Sequence, residues 1–138
     1  MEYKRTAEAF SLVLNMVVFE SDMQYPANTI LKVTVESDGF RACSTMDIDI
    51  REFKIFVSEI NHLYETLQGS TAIKEPYGNQ NIQFSVGKTG RVFVSGFLHN
   101  YCRNGDSQSL EFENSFDQTF LKPFLSSLNS DLSLQTEK

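Results

Sequence analysis

Between Phe40 and Gly69 the chain changes its hydrophobic period. In "FRACSTMDIDI" the apolar positions near the end alternate with polar ones, the mark of a strand with one buried face. From Ile50 onward, in "REFKIFVSEINHLYETLQG", apolar residues recur every three or four positions. Phe53, Phe56, Val57, Ile60, Leu63, Tyr64 and Leu67 form one stripe of a helix over about 50–68. Asp49 with Glu52 resembles a capping box, and Gly69 stands where a glycine stops a helix.

The segment before this junction predicts strands. Phe10, Leu12, Leu14, Met16 and Val18 share one face, while Val13, Val17 and Phe19 make the other apolar too, so Phe10 to Glu20 reads as a strand buried on much of both faces. Leu31, Val33 and Val35 alternate with Lys32, Thr34 and Glu36, and Asp38-Gly39 suits a type I′ turn that folds the next strand back through Arg41 to Ile50. After the helix the strand signal returns. It covers Thr71 to Lys74, then Ile82, Phe84 and Val86, then Val92, Val94 and Leu98 with Phe93 and Phe97 opposite, then Leu110 to Glu113. "GKTG" and Asn104-Gly105 supply the reversals. Phe120, Leu121, Phe124, Leu125, Leu128 and Leu132 predict a carboxyl-terminal helix over about 119–132, capped by Asp117 or Thr119, with Pro123 tolerated only near its start. The class is therefore α+β: a curved antiparallel β-sheet of about seven strands in hairpins, covered by two helices, in one domain spanning residues 1–138. A closed barrel carrying an apolar ligand is the rival of similar size, and the mid-chain helix argues against it.

Composition narrows the function classes. Of 138 residues, 41% are hydrophobic and 22% charged, an ordinary globular balance. The longest apolar run, "LVLNMVVF", is too short to cross a bilayer, and no secretory leader is apparent, so a cytoplasmic location is the expectation. The formal net charge of −6 disfavours nucleic acid and anionic membrane as direct partners and suits a basic protein. Cys43 and Cys102 read as reduced thiols. Among Cys43, His62, His99 and Cys102, only His99 and Cys102 approach ligand spacing, and in a strand that separation points to opposite faces, so no metal or other cofactor is expected. "SVGKTG" is neither a nucleophile elbow nor a phosphate loop. No catalytic residues are assigned, and an enzyme is not expected.

The carboxylates are the remaining constellation. Asp47 and Asp49 share one strand face and Glu111 and Glu113 another, each pair about 7 Å apart by strand geometry. If those strands were neighbours, the four acids would form one patch. Such a patch is a solvated sheet face balanced by Lys32 and Arg41, a surface that steers a basic partner, or an enzyme site holding a divalent metal or an acid/base pair, for which the sequence shows no perturbing environment.

The succession "FSLVLNMVVFES", "LKVTVESDGFRA", "REFKIFVSEINHLYETLQGSTAI", "IQFSVGKTGRVFVSGFL" and "LEFENSFDQTFLKPFLSSL" resembles the WapI-type immunity proteins of bacterial polymorphic toxin systems over nearly the whole chain. The resemblance implies a small cytoplasmic protein that binds and inactivates the carboxyl-terminal domain of a secreted or contact-delivered toxin, often a nuclease. It carries no site residues with it. The competing reading is a domain that holds a small apolar ligand among its phenylalanines.

Overall fold

The computed structural model describes residues 2–7, 10–101 and 104–136, with side chains described for 10–100 and 104–129. Eight strands make two four-stranded antiparallel meanders. The first joins β1 (Glu2–Ala7), β2 (Phe10–Val18), β3 (Thr29–Ser37) and β4 (Phe40–Ile48) in sequence order. The second joins β5 (Gly69–Lys74), β6 (Asn81–Val86), β7 (Val92–Tyr101) and β8 (Ser107–Phe116). Between them runs α1 (Ile50–Thr66), and the chain closes with a 3-10 turn (Gln118–Phe120) leading into α2 (Leu121–Thr136). The α+β class, the antiparallel hairpins and both helices are as the sequence predicts. The sheet, however, is divided in two, with α1 as the crossover, and β1 is an additional strand.

Apart from β1, the elements follow from their patterns. In β3, Leu31, Val33 and Val35 are wholly buried while Lys32 and Glu36 are exposed. The β3–β4 turn has positive φ at both Asp38 (49°) and Gly39 (91°), as a type I′ turn requires. Phe53, Phe56, Val57, Ile60 and Leu63 form the buried stripe of α1, which lies against β5 and β6 and packs on α2. Asn61 and Asn129 exchange amide hydrogen bonds of 2.9 and 3.0 Å between the two helices. The helix stops when Leu67 takes a left-handed conformation (φ 56°), its N–H donating to the Leu63 carbonyl, and Gly69 (φ 102°) then opens β5. Pro123 falls in the first turn of α2, where its missing N–H costs nothing. Leu132 lies beyond the described side chains.

One hydrophobic cluster runs through both sheets and both helices. Its aromatic spine passes from Phe53 and Phe56 on α1 to Phe84 on β6 and Phe124 on α2, with ring centroids 5.9 to 6.4 Å apart. Phe10 on β2 stacks on Phe112 and Phe116 of β8, tying the sheets together. The expectation that β2 is buried on both faces is corrected. Val17 is 56% exposed and Phe19 41%, because the core lies against the opposite face of β2, that of Phe10, Leu12, Leu14 and Met16.

Candidate functional site

The seam between the sheets decides where the candidate residues stand. β4 is the edge of the first sheet, and its outward main-chain groups have no strand to pair with. They are met by side chains from successive strand ends of the second sheet. The Cys43 carbonyl accepts from Asn100 Nδ2 at the end of β7, and the Thr45 carbonyl accepts from Gln80 Nε2 (2.8 Å) at the start of β6. The Asp47 N–H donates to Glu75 Oε2 (3.2 Å) just after β5. Strand β4 therefore crosses the ends of β7, β6 and β5 in turn.

Gln80, 4% exposed, is the centre of this seam. Its Oε1 accepts from the Ser44 hydroxyl (2.6 Å) and from the His99 backbone N–H (3.1 Å) while its Nε2 holds Thr45. Glu75 completes the join: its Oε1 accepts from the Gln80 N–H (3.2 Å) while its other oxygen holds Asp47. A second stitch runs from Asn114 Nδ2 on β8 to the Ser37 hydroxyl (3.0 Å).

The four carboxylates flagged by the sequence lie in three settings. Asp47 is exposed on the outer face of β4. Asp49 has left the strand to cap α1: it accepts from the Arg51 N–H (2.9 Å) and from Asn28 Nδ2 (3.1 Å) and pairs with the Arg51 guanidinium at 2.8 Å. Its hydrogen bonds from the Arg51 side chain, foremost, and from neighbouring N–H groups lower its pKa from 3.8 to about 2. Asn28, which also accepts from the Ile50 N–H (2.9 Å), was not singled out by sequence. Glu111 and Glu113 are exposed together on the outer face of β8, opposite Phe97 and Ser95 of β7, beside a shallow cleft of about 550 Å³. Strands β4 and β8 are not neighbours. The residues in register with Glu111 run across the face as Phe97, Asn81 and Lys74, so three strand spacings, about 14 Å, separate β8 from the β5 side where Asp47 sits.

Nucleophile and metal chemistry find little here. Among the described residues, no three His, Cys, Asp or Glu side chains are grouped to hold a metal ion. Cys43 is an exposed free thiol, and Cys102 lies outside the described residues. Arg41, Cys43, Ser44, Asn100 and Gln108 line a seam cleft of about 280 Å³, too small for most organic ligands. No described helix is long and apolar enough to cross a membrane.

With a surface of carboxylates and exposed apolar side chains and no assembled reaction centre among the described residues, comparison with known families becomes decisive. The profile of the family described as "Immunity protein WapI-like family" matches residues 8–134. The chain belongs to the WapI-like immunity protein family. No curated protein and no solved structure matches the chain significantly. The WapI-like match spans β2 to α2, so both sheets and the seam between them fall within the family's matched region. Membership implies a partner, the toxin that an immunity protein neutralises.

Proposed function

We propose that this chain neutralises a cognate toxin by binding its carboxyl-terminal domain one to one in the cytoplasm of the producing cell. It covers a basic surface of that domain, such as the nucleic-acid-binding face of a nuclease, and turns nothing over. The observation that carries this reading is the family match across residues 8–134. The charge of −6 supports it, because an acidic surface accelerates encounter with a basic one and repels nucleic acid and anionic membrane. Asp47, Glu111 and Glu113 are the steering carboxylates in this reading, whereas Asp49, held by Arg51 and the α1 cap, serves the fold.

Titration of a cognate toxin domain with this protein tests the mechanism. Toxin activity should fall linearly and vanish at one equivalent. Complete loss at a small fraction of an equivalent would mean catalytic inactivation and would end the occlusion reading.

A further inference from the structure

The outer face of the first sheet carries an apolar patch where none is needed for folding. Val17 on β2, Ile30 on β3 and Asp47 on β4 stand in register across three strands. Val17 is 56% exposed and Ile30 36%, and Phe19, two residues past Val17 on the extended chain, is 41% exposed. Beyond Asp47 the row continues over the seam into the β5–β6 loop, through Glu75, which accepts the Asp47 N–H, to Tyr77, which is 79% exposed. Glu20 and Asp22 flank Phe19 in the 3-10 turn after β2. Among the described residues the Asp47 carboxylate forms no ion pair. The result is a band with Phe19, Val17 and Ile30 at one end, Tyr77 at the other and the carboxylates of Asp47 and Glu75 between them, the mixture of apolar, aromatic and polar groups that interfaces carry. A solvated sheet face would place polar residues at Val17 and Ile30, as this same sheet does one rung along at Asn15 and Lys32.

Resting on the immunity reading above, we propose that this band is the docking centre for the toxin domain, and that the matching toxin surface presents lysines or arginines flanked by apolar side chains. Charge selects the occupant. A second copy of this chain docked face to face by a twofold axis through the middle of the band would set Asp47 against its own counterpart, on a molecule already carrying −6. A basic partner turns the same carboxylates into attraction.

The test measures affinity for an inactive variant of the cognate toxin domain, using the parent, Ile30→Lys, Asp47→Lys and the double variant Glu111→Lys/Glu113→Lys. All the altered side chains are exposed, and matched thermal melting of the four proteins checks that each is folded. Ile30→Lys and Asp47→Lys should each weaken binding at least about 30-fold, the loss typical of an interface hot spot. The outer-face pair on β8 should change affinity far less. Unchanged affinity in Ile30→Lys and Asp47→Lys, with binding lost in the β8 variant, overturns the band while leaving the immunity function standing. Failure of the parent to bind the toxin removes the immunity reading and this proposal with it. Sedimentation of the parent alone settles the second copy: a dimer dispersed by Ile30→Lys would overturn the choice of occupant.

Discussion

Replacing Gln80 with alanine should separate the two sheets along β4. The side chain makes three hydrogen bonds in a buried setting: it donates to the Thr45 carbonyl and accepts from Ser44 and from the His99 N–H. Each is worth about 1 kcal/mol net, so the three together come to about 3 kcal/mol, and a buried backbone group left wholly without a partner would raise that. Two backbone groups lose a partner, at Thr45 and His99. The Ser44 hydroxyl keeps the His99 carbonyl at 2.8 Å, and the adjacent 280 Å³ cleft lets water reach part of the gap, which holds the total near 3 kcal/mol. Equilibrium urea unfolding should show that loss with an unchanged denaturant slope. Gln80→Glu makes the argument sharper. The introduced carboxylate still accepts from Ser44 and His99, but its second oxygen faces the Thr45 carbonyl with no proton to offer, so its folded pKa must rise above the usual ~4.3. That raised pKa makes the variant less stable than the parent at neutral pH. The gap narrows as pH falls through the raised folded value toward the unfolded one, where protonation restores the donor. A loss in Gln80→Ala below about 0.5 kcal/mol, the level of an ordinary surface substitution, would refute the view that Gln80 holds the seam.

Other perturbations follow from the same geometry. The depressed pKa of Asp49 stabilises the fold above its unfolded value of 3.8, and that contribution is lost as pH falls toward about 2; Arg51→Ala should shrink this acid-sensitive part, as acid titration of stability would register. Gly96→Ala should destabilise by about 1–3 kcal/mol in thermal unfolding, because a Cβ there would stand 2.6 Å from the Asn81 carbonyl oxygen and 2.6 Å from the Phe112 ring. Phe124→Ala, which breaks the aromatic spine at Phe84, should cost about 3–5 kcal/mol in the same assay. Glu111→Lys/Glu113→Lys should slow association with the toxin domain and flatten its dependence on salt, read from association rates at two ionic strengths.

The hydrophobic pattern made most of the elements legible because each strand and helix here buries one face at its own period. α1 shows this best: Phe53, Phe56, Val57, Ile60 and Leu63 are spaced for one stripe and are buried as one. The turn at Asp38-Gly39 was legible for a different reason, since few residue pairs accept two positive φ angles. β1 was not legible, because "EYKRTA" has no apolar alternation and is defined by its pairing with β2. The division into two sheets was hidden too. It depends on contacts such as Ser44 with Gln80, 36 residues apart, that no local pattern encodes. The carboxylate pairs show the same limit at the candidate site: period two placed Asp47 and Asp49 on one face, but the chain turns into α1 at Asp49, and the cap geometry takes that carboxylate into the fold.

The seam and the proposed docking band are one construction. β4 needs something to satisfy its free edge, and a ninth strand would do so by continuing the sheet, which would displace Glu75 and the loop bearing Tyr77 from the side of Asp47. Side chains from three strand ends satisfy the same groups and leave the outer face of β4 open. Glu75 is the junction, since the carboxylate that holds the Asp47 N–H also accepts from the Gln80 N–H and so fixes the loop bearing Tyr77 relative to β4. An interface assembled on such a join is pre-organised: the residues on either side of the seam are held before the partner arrives, so less ordering cost falls on binding. Loosening the seam at Gln80 should therefore weaken toxin binding as well as stability, even though Gln80 itself is buried and touches no partner.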